Sequence, residues 1–125
     1  MREPSCLRWR LRALSALLLI SASVAGGGPA QAKAARCVIR QNGTVAYSGP
    51  CEFIPDRGGS FGVRRRDGRP LLPEISDVSV MLTAPGQAEV RGLTLQGINS
   101  RWGPARRSTS DPACWTGSDF EVCAY

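Results

Sequence analysis

The sequence predicts an all-β domain, a small antiparallel barrel-like or sandwich meander with two disulfides. Three observations lead there. Cys37 to Cys51 holds two short β-prone runs around Asn42-Gly43, with a cysteine at each end. Asp77 to Thr83 alternates apolar and polar residues with the period of a half-buried strand. The chain closes on a second cysteine-bearing pair of runs, Ala113 to Tyr125, and shows no helical period longer than a turn or two.

The N-terminus reads as an address rather than as structure. Met1 to Arg12 carries Arg2, Arg8, Arg10 and Arg12 against Glu3, and the apolar run Ala13 to Ala25 follows at once. Pro29-Ala30-Gln31-Ala32 then offers small residues where signal peptidase reads them, so residues 1–32 are expected to be a cleaved secretory signal peptide. Ser23-Val24-Ala25 is an alternative cut. The apolar run is shorter than the roughly 20 residues of a spanning helix, so no membrane span is expected after cleavage. The N-terminal arginines alternate instead of pairing, unlike a twin-arginine signal. Cys6 precedes the apolar run, where a lipidated cysteine would follow it.

Residues 33–125 are then one periplasmic or secreted domain with four cysteines, an even count that reads as two disulfides. Twelve Lys/Arg against nine Asp/Glu give this part a net charge of +3, too mild for a nucleic-acid-binding composition. The chain uses fifteen arginines and a single lysine, a bias associated with GC-rich bacterial genomes.

Lys33 to Arg36 is a lead-in. Asn-Gly next supplies the positive φ that a two-residue hairpin turn requires. That loop places Gln41 opposite Thr44, Ile39 opposite Ala46 and Val38 opposite Tyr47, with Val38, Val45 and Tyr47 expected on the core face. Phe53 and Ile54 extend the second run to Pro55, and Asp56-Arg57-Gly58-Gly59 turns the chain. Ser60 to Arg66 is a strand with Phe61 and Val63 on one face, ending at the Asp67-Gly68 turn. Two prolines make Arg69 to Pro73 an extended edge or a loop packed on the core. Val78, Val80 and Leu82 share a face before the Ala84-Pro85-Gly86-Gln87 turn. In the return run Val90 and Leu93/Leu95 fall on opposite faces, and a β-bulge at Arg91-Gly92 would reconcile them. Gln96 to Pro112 shows no period and is expected to be a long surface loop. A four-residue turn at Thr116 to Asp119 then sets Trp115 opposite Phe120. Five to seven strands result.

The chemistry is sparse. There is no histidine, hence no Ser-His or Cys-His nucleophile pair. Thirteen and eight residues intervene between the cysteines of each pair, unlike the close pairs of structural zinc sites. Asp111 and Asp119 do not make a calcium loop. The sequence therefore assigns no catalytic residue, cofactor or metal. Glu52, Glu74, Glu89, Asp111 and Glu121 are scattered, leaving a carboxylate-dependent hydrolase acting on envelope glycans as the alternative reading. Asn42-Gly43-Thr44 matches a glycosylation sequon, which its hairpin role explains fully.

Two arginine clusters stand out, Arg64-Arg65-Arg66 with Arg69, and Arg101-Trp102 with Arg106-Arg107. The first is read as a solvated face. The second lies in the expected loop, so Arg101, Trp102, Arg106 and Arg107 are the candidate binding residues. Guanidinium groups beside an indole suit an anionic glycan, a lipid head group or an acidic protein. Trp102 plugging one end of a barrel is the competing reading. The expected function is a non-catalytic binding or inhibitor-type module for an anionic partner.

The frame Cys37 … Gly49-Pro50-Cys51 … Gly59-Ser60-Phe61 … Ala113-Cys114-Trp115 … Cys123-Ala124 resembles small secreted cysteine-framed proteins of Gram-negative bacteria with no assigned function. The frame spans nearly all of residues 33–125, and Asn99-Ser-Arg-Trp-Gly103 lies outside it. It implies no catalytic or binding residue. Four cysteines allow three connectivities, and local pairing, Cys37–Cys51 with Cys114–Cys123, is expected.

Overall fold

The computed structural model describes Ile20 and residues 31–125; the predicted signal peptide otherwise lies outside the described residues. Eight strands form the domain: β1 Lys33–Gln41, β2 Thr44–Pro55, β3 Phe61–Arg65, β4 Ile75–Ala84, β5 Gln87–Thr94, β6 Asn99–Arg107, β7 Cys114–Thr116 and β8 Phe120–Ala124. Each runs antiparallel to the next and β8 returns to β1, closing an up-and-down barrel. Closure matters because it pairs strand edges that would otherwise invite other chains. Chain direction alternates, so the connections gather at two ends. Asn42-Gly43, residues 66–74, residues 95–98 and residues 117–119 form one, called here the Asn42 end. Residues 56–60, 85–86 and 108–113 form the other with Lys33 and Tyr125, the Tyr125 end.

The interior is filled by side chains, as a small eight-stranded barrel allows. Ile39, Val63, Val78, Val80, Val90 and Val122 are fully buried, together with Cys37 and Cys51. The two expected disulfides form, one on each face of the wall. Cys37–Cys51 ties β1 to β2 within the core. Cys114–Cys123 joins β7 to β8 in direct register, flanking the inward pair Trp115 and Val122 and so lying on the outer face.

Asn42 and Gly43 take the positive φ values, 51° and 76°, that the first hairpin needs. Its register departs from expectation beyond the first pair. The ladder shifts between Ile39 and Arg40, so that Ile39 faces Tyr47, Val38 faces Ser48 and Ala46 is the extra residue. One inserted residue exchanges the faces. Ile39 and Tyr47 consequently line the core, while Val45 is exposed. Residues 33–36, expected as a lead-in, belong to β1.

The expected bulge at Arg91-Gly92 is absent from the β4–β5 ladder, which runs unbroken from Leu82↔Ala88 to Asp77↔Leu93. The irregularity lies across the next interface, in β6, where Val90↔Gly103 is followed by Arg91↔Arg101 and Trp102 is the extra residue. Gly92 thus stays on the inner face, and its missing side chain leaves the space that Trp102 occupies. Leu93 and Leu95 remain exposed as a consequence. The long loop expected at residues 96–112 is largely β6. Its inward positions after the bulged Trp102 are Gly103, Ala105 and Arg107 and its outward ones include Pro104, so no apolar alternation announced it; backbone pairing to β5 makes it a strand. The last hairpin pairs Trp115 with Val122, not with Phe120, and Gly117 N–H bonds the Phe120 carbonyl. Leu71 and Leu72 are buried in the β3–β4 connection, as a loop packed on the core requires.

Candidate functional site

β6 carries all four candidate residues and distributes them. Arg101 lies on the outer face and is paired with Glu89 of β5, whose hydrogen bond and charge raise the Arg101 pKa. Trp102 turns inward at the Asn42 end, half-buried, with its ring over Gly92 and edge-on to Phe120 at 5.7 Å. It therefore plugs that end of the barrel. Arg106 stands exposed on the outer face, opposite Gln87 and Thr116. Arg107 sits across from Trp115, on the inner face at the Tyr125 end. Arg101 and Arg106 face Arg91 and Gln87, which lie about 14 Å apart along β5. The four residues do not share one surface.

In the other arginine cluster, Arg64 and Arg65 are paired locally. Arg64 Nε bonds Glu52 at 2.7 Å, with Asp77 nearby, and Arg65 bonds Asp67 at 2.5 Å while lying over the Tyr47 ring. The Arg65 guanidinium, then the Arg69 backbone N–H, hold the Asp67 carboxyl below its usual range. Among the described residues four carboxylates, those of Glu52, Asp67, Glu89 and Glu121, are engaged with arginines in this way. Cys114 and Cys123 lie close to Glu121, but their sulfurs are bonded to each other and offer no thiolate to a metal.

The feature that the sequence reading missed is the barrel mouth at the Tyr125 end. Inward residues from six strands line a cavity of about 330 Å³: Phe53, Phe61, Leu82, Arg107, Trp115 and Ala124. Phe53 and Phe61 stack with their centroids 4.8 Å apart. Phe61 and Trp115 form a buried floor, whereas Phe53 and Leu82 are half-buried walls. Arg107 is the charge in this apolar ring. Its Nε donates to the Pro112 carbonyl at 2.7 Å, and its guanidinium lies over the Trp115 ring at 5.8 Å. Among the described residues it makes no ion pair.

The rim that supplies the Pro112 carbonyl is itself pinned. Asp111 accepts a hydrogen bond from the Tyr125 hydroxyl at 2.5 Å, while the Asp111 carbonyl accepts from Cys114 N–H. Hydrogen bonding to Asp111, then burial, raises the pKa of Tyr125. The arrangement presents an exposed guanidinium, held by one backbone hydrogen bond, beside an apolar floor. Mouths of β-barrels are a common place for small ligands, and a few fixed polar groups in an apolar lining set ligand orientation. The signal available in the sequence was the inward parity of Phe53, Phe61, Leu82 and Trp115 near strand ends. Without β6, that parity could not be joined to Arg107. No protein-family model, curated protein or solved structure matches the chain.

Proposed function

We propose that this protein is an exported, non-catalytic binding domain that receives an anionic partner at the Tyr125-end mouth, with Arg107 as the recognising charge. The observation that carries the reading is the setting of that guanidinium. It lies between the Pro112 carbonyl and the Trp115 face, makes no ion pair among the described residues, and borders an apolar cavity. Arginine is suited to this, being always charged and able to grip an anion through parallel N–H donors. The periplasm or the exterior is the proposed location. The N-terminal signal pattern supports it, and the two disulfides fit an oxidising compartment.

Exposing tagged protein to envelope extract, then identifying co-purifying proteins and small molecules by mass spectrometry, tests the reading. Arg107→Gln is expected to lose the retained partner, and Arg101→Gln, at the far end and already paired with Glu89, to keep it. Equal retention by wild type and Arg107→Gln overturns the proposal.

A further inference from the structure

The geometry points to a ligand class for the mouth: a small monocarboxylate with a single apolar tail, the carboxylate on Arg107 and the tail against Phe53, Phe61 and Leu82. This inference rests on the mouth being the binding site. Three features narrow the chemistry. The cavity, at about 330 Å³, lies at the bottom of the roughly 300–1,000 Å³ range of ligand pockets, so it takes a short molecule. Its walls come from aromatic and aliphatic side chains on β2, β3 and β4, which offer an unbranched tail contact and no hydrogen bonds.

The head group follows from how Arg107 is held. Nε is occupied by the Pro112 carbonyl, so the two terminal nitrogens remain as a planar pair of donors. That pair matches the two oxygens of a carboxylate. The indole face, 5.8 Å from the guanidinium carbon, adds a cation–π contact on one side of it. A dianionic phosphate is matched less well, because Arg107 is the one cation among the lining residues and Asp111 stands beside Pro112 on the rim.

Isothermal titration of the protein expressed from its full coding sequence, with decanoate at submicellar concentration, tests the assignment. Saturable binding to one site is expected. Arg107→Gln is expected to weaken it about 10- to 100-fold, the loss of a hydrogen-bonded charge. Arg107→Lys, which keeps the charge without the fork, should fall between the two and serves if the glutamine variant does not fold. Arg101→Gln should bind within about twofold of wild type, because charge alone at the far end contributes little when screened. Decanol, with the same tail and no charge, should bind at least about tenfold more weakly than decanoate. Decanol binding as tight as decanoate, or decanoate binding indifferent to Arg107, overturns the assignment. Absence of decanoate binding alongside Arg107-dependent retention of an envelope partner refutes this ligand class and leaves the proposed function standing. Absence of both refutes both.

Discussion

A Cβ on Gly92 would stand 2.7 Å from Trp102 Nε1 and 3.0 Å from Cε2, closer than packed atoms tolerate. The neighbour is a ring wedged against Phe120, not the free end of a flexible chain. Gly92→Ala should therefore lift Trp102 from its seat, at the cost of about 1–3 kcal/mol typical of overpacking. Trp102→Ala should cost at most about 3 kcal/mol, the low end for truncating a large aromatic, since the ring is only half-buried. Thermal melts of the two single variants and the double variant check the pair. The alanine at 92 should cost much less once Trp102 is gone, and simple additivity would refute the steric account. At the other end, Tyr125 gives a pH signature. Its folded pKa is raised above the ordinary value of 10.0, so its contribution is fully present below pH 10 and lost as pH rises through the folded pKa. Between pH 9 and 12 the melting temperature of wild type should fall more than that of Tyr125→Phe. Parallel curves would show that the Asp111 contact does not stabilise the fold.

The strand that the sequence concealed, β6, is also the one that decides the site. The first hairpin was readable because Asn42-Gly43 dictates its own backbone, and β4 because Val78, Val80 and Leu82 alternate against polar neighbours. β6 has neither signal. Small inward residues and a bulged tryptophan replace its apolar stripe, since the Asn42 end is filled from β6 by one large ring. The same bulge placement explains why the parity of β5 looked faulty when it was regular. The arginine pattern was legible as chemistry but not as geometry: a loop could gather Arg101 and Arg107, whereas a strand separates them. Pro104 adds a structural role. Arg107 N–H bonds the Gly86 carbonyl, and Ser108 N–H bonds the Cys114 carbonyl, so beyond the bulge, from Gly103 onward, odd positions of β6 point to β5 and even ones to β7. β7 pairs only with Arg106 and Arg107, which leaves the edge beyond them facing a gap of about 380 Å³ lined by Pro104, Arg106, Thr116 and Ser118. Proline places its missing donor on that edge, a common guard against strand addition. Pro104→Val should restore a donor there and promote concentration-dependent association in sedimentation experiments. A variant that stays as dispersed as wild type would mean the gap itself gives sufficient protection.

At the scale of the molecule, the barrel is closed unevenly, and the weak seam adjoins the mouth. β1 and β2 share nine register pairs and an interior disulfide; β6 and β7 share two. β7 has three residues, and its covalent tie is the outer disulfide to β8. Loop-closure entropy assigns each bridge about 3 kcal/mol, slightly more to Cys37–Cys51, whose half-cystines are 14 positions apart against 9. For a domain of this size either loss corresponds to a drop of roughly 12–24 °C in melting temperature. The two removals should nevertheless differ in kind. Cys37→Ala/Cys51→Ala leaves a void in the core and lowers global stability, while β7 keeps its tie and the mouth its shape. Cys114→Ser/Cys123→Ser frees β7, which carries Trp115 and adjoins the Pro112 rim, so the local opening free energy of this corner should fall below the global value. Hydrogen exchange of the β7 and β8 amides, measured under conditions where both double variants are folded, separates the cases. The serine variant should exchange these amides faster than its remaining strands and lose Arg107-dependent binding; the alanine variant should exchange all strands faster together and bind normally while folded. Uniform exchange in the serine variant, with binding intact, would show that the two register pairs to β6 hold the mouth unaided.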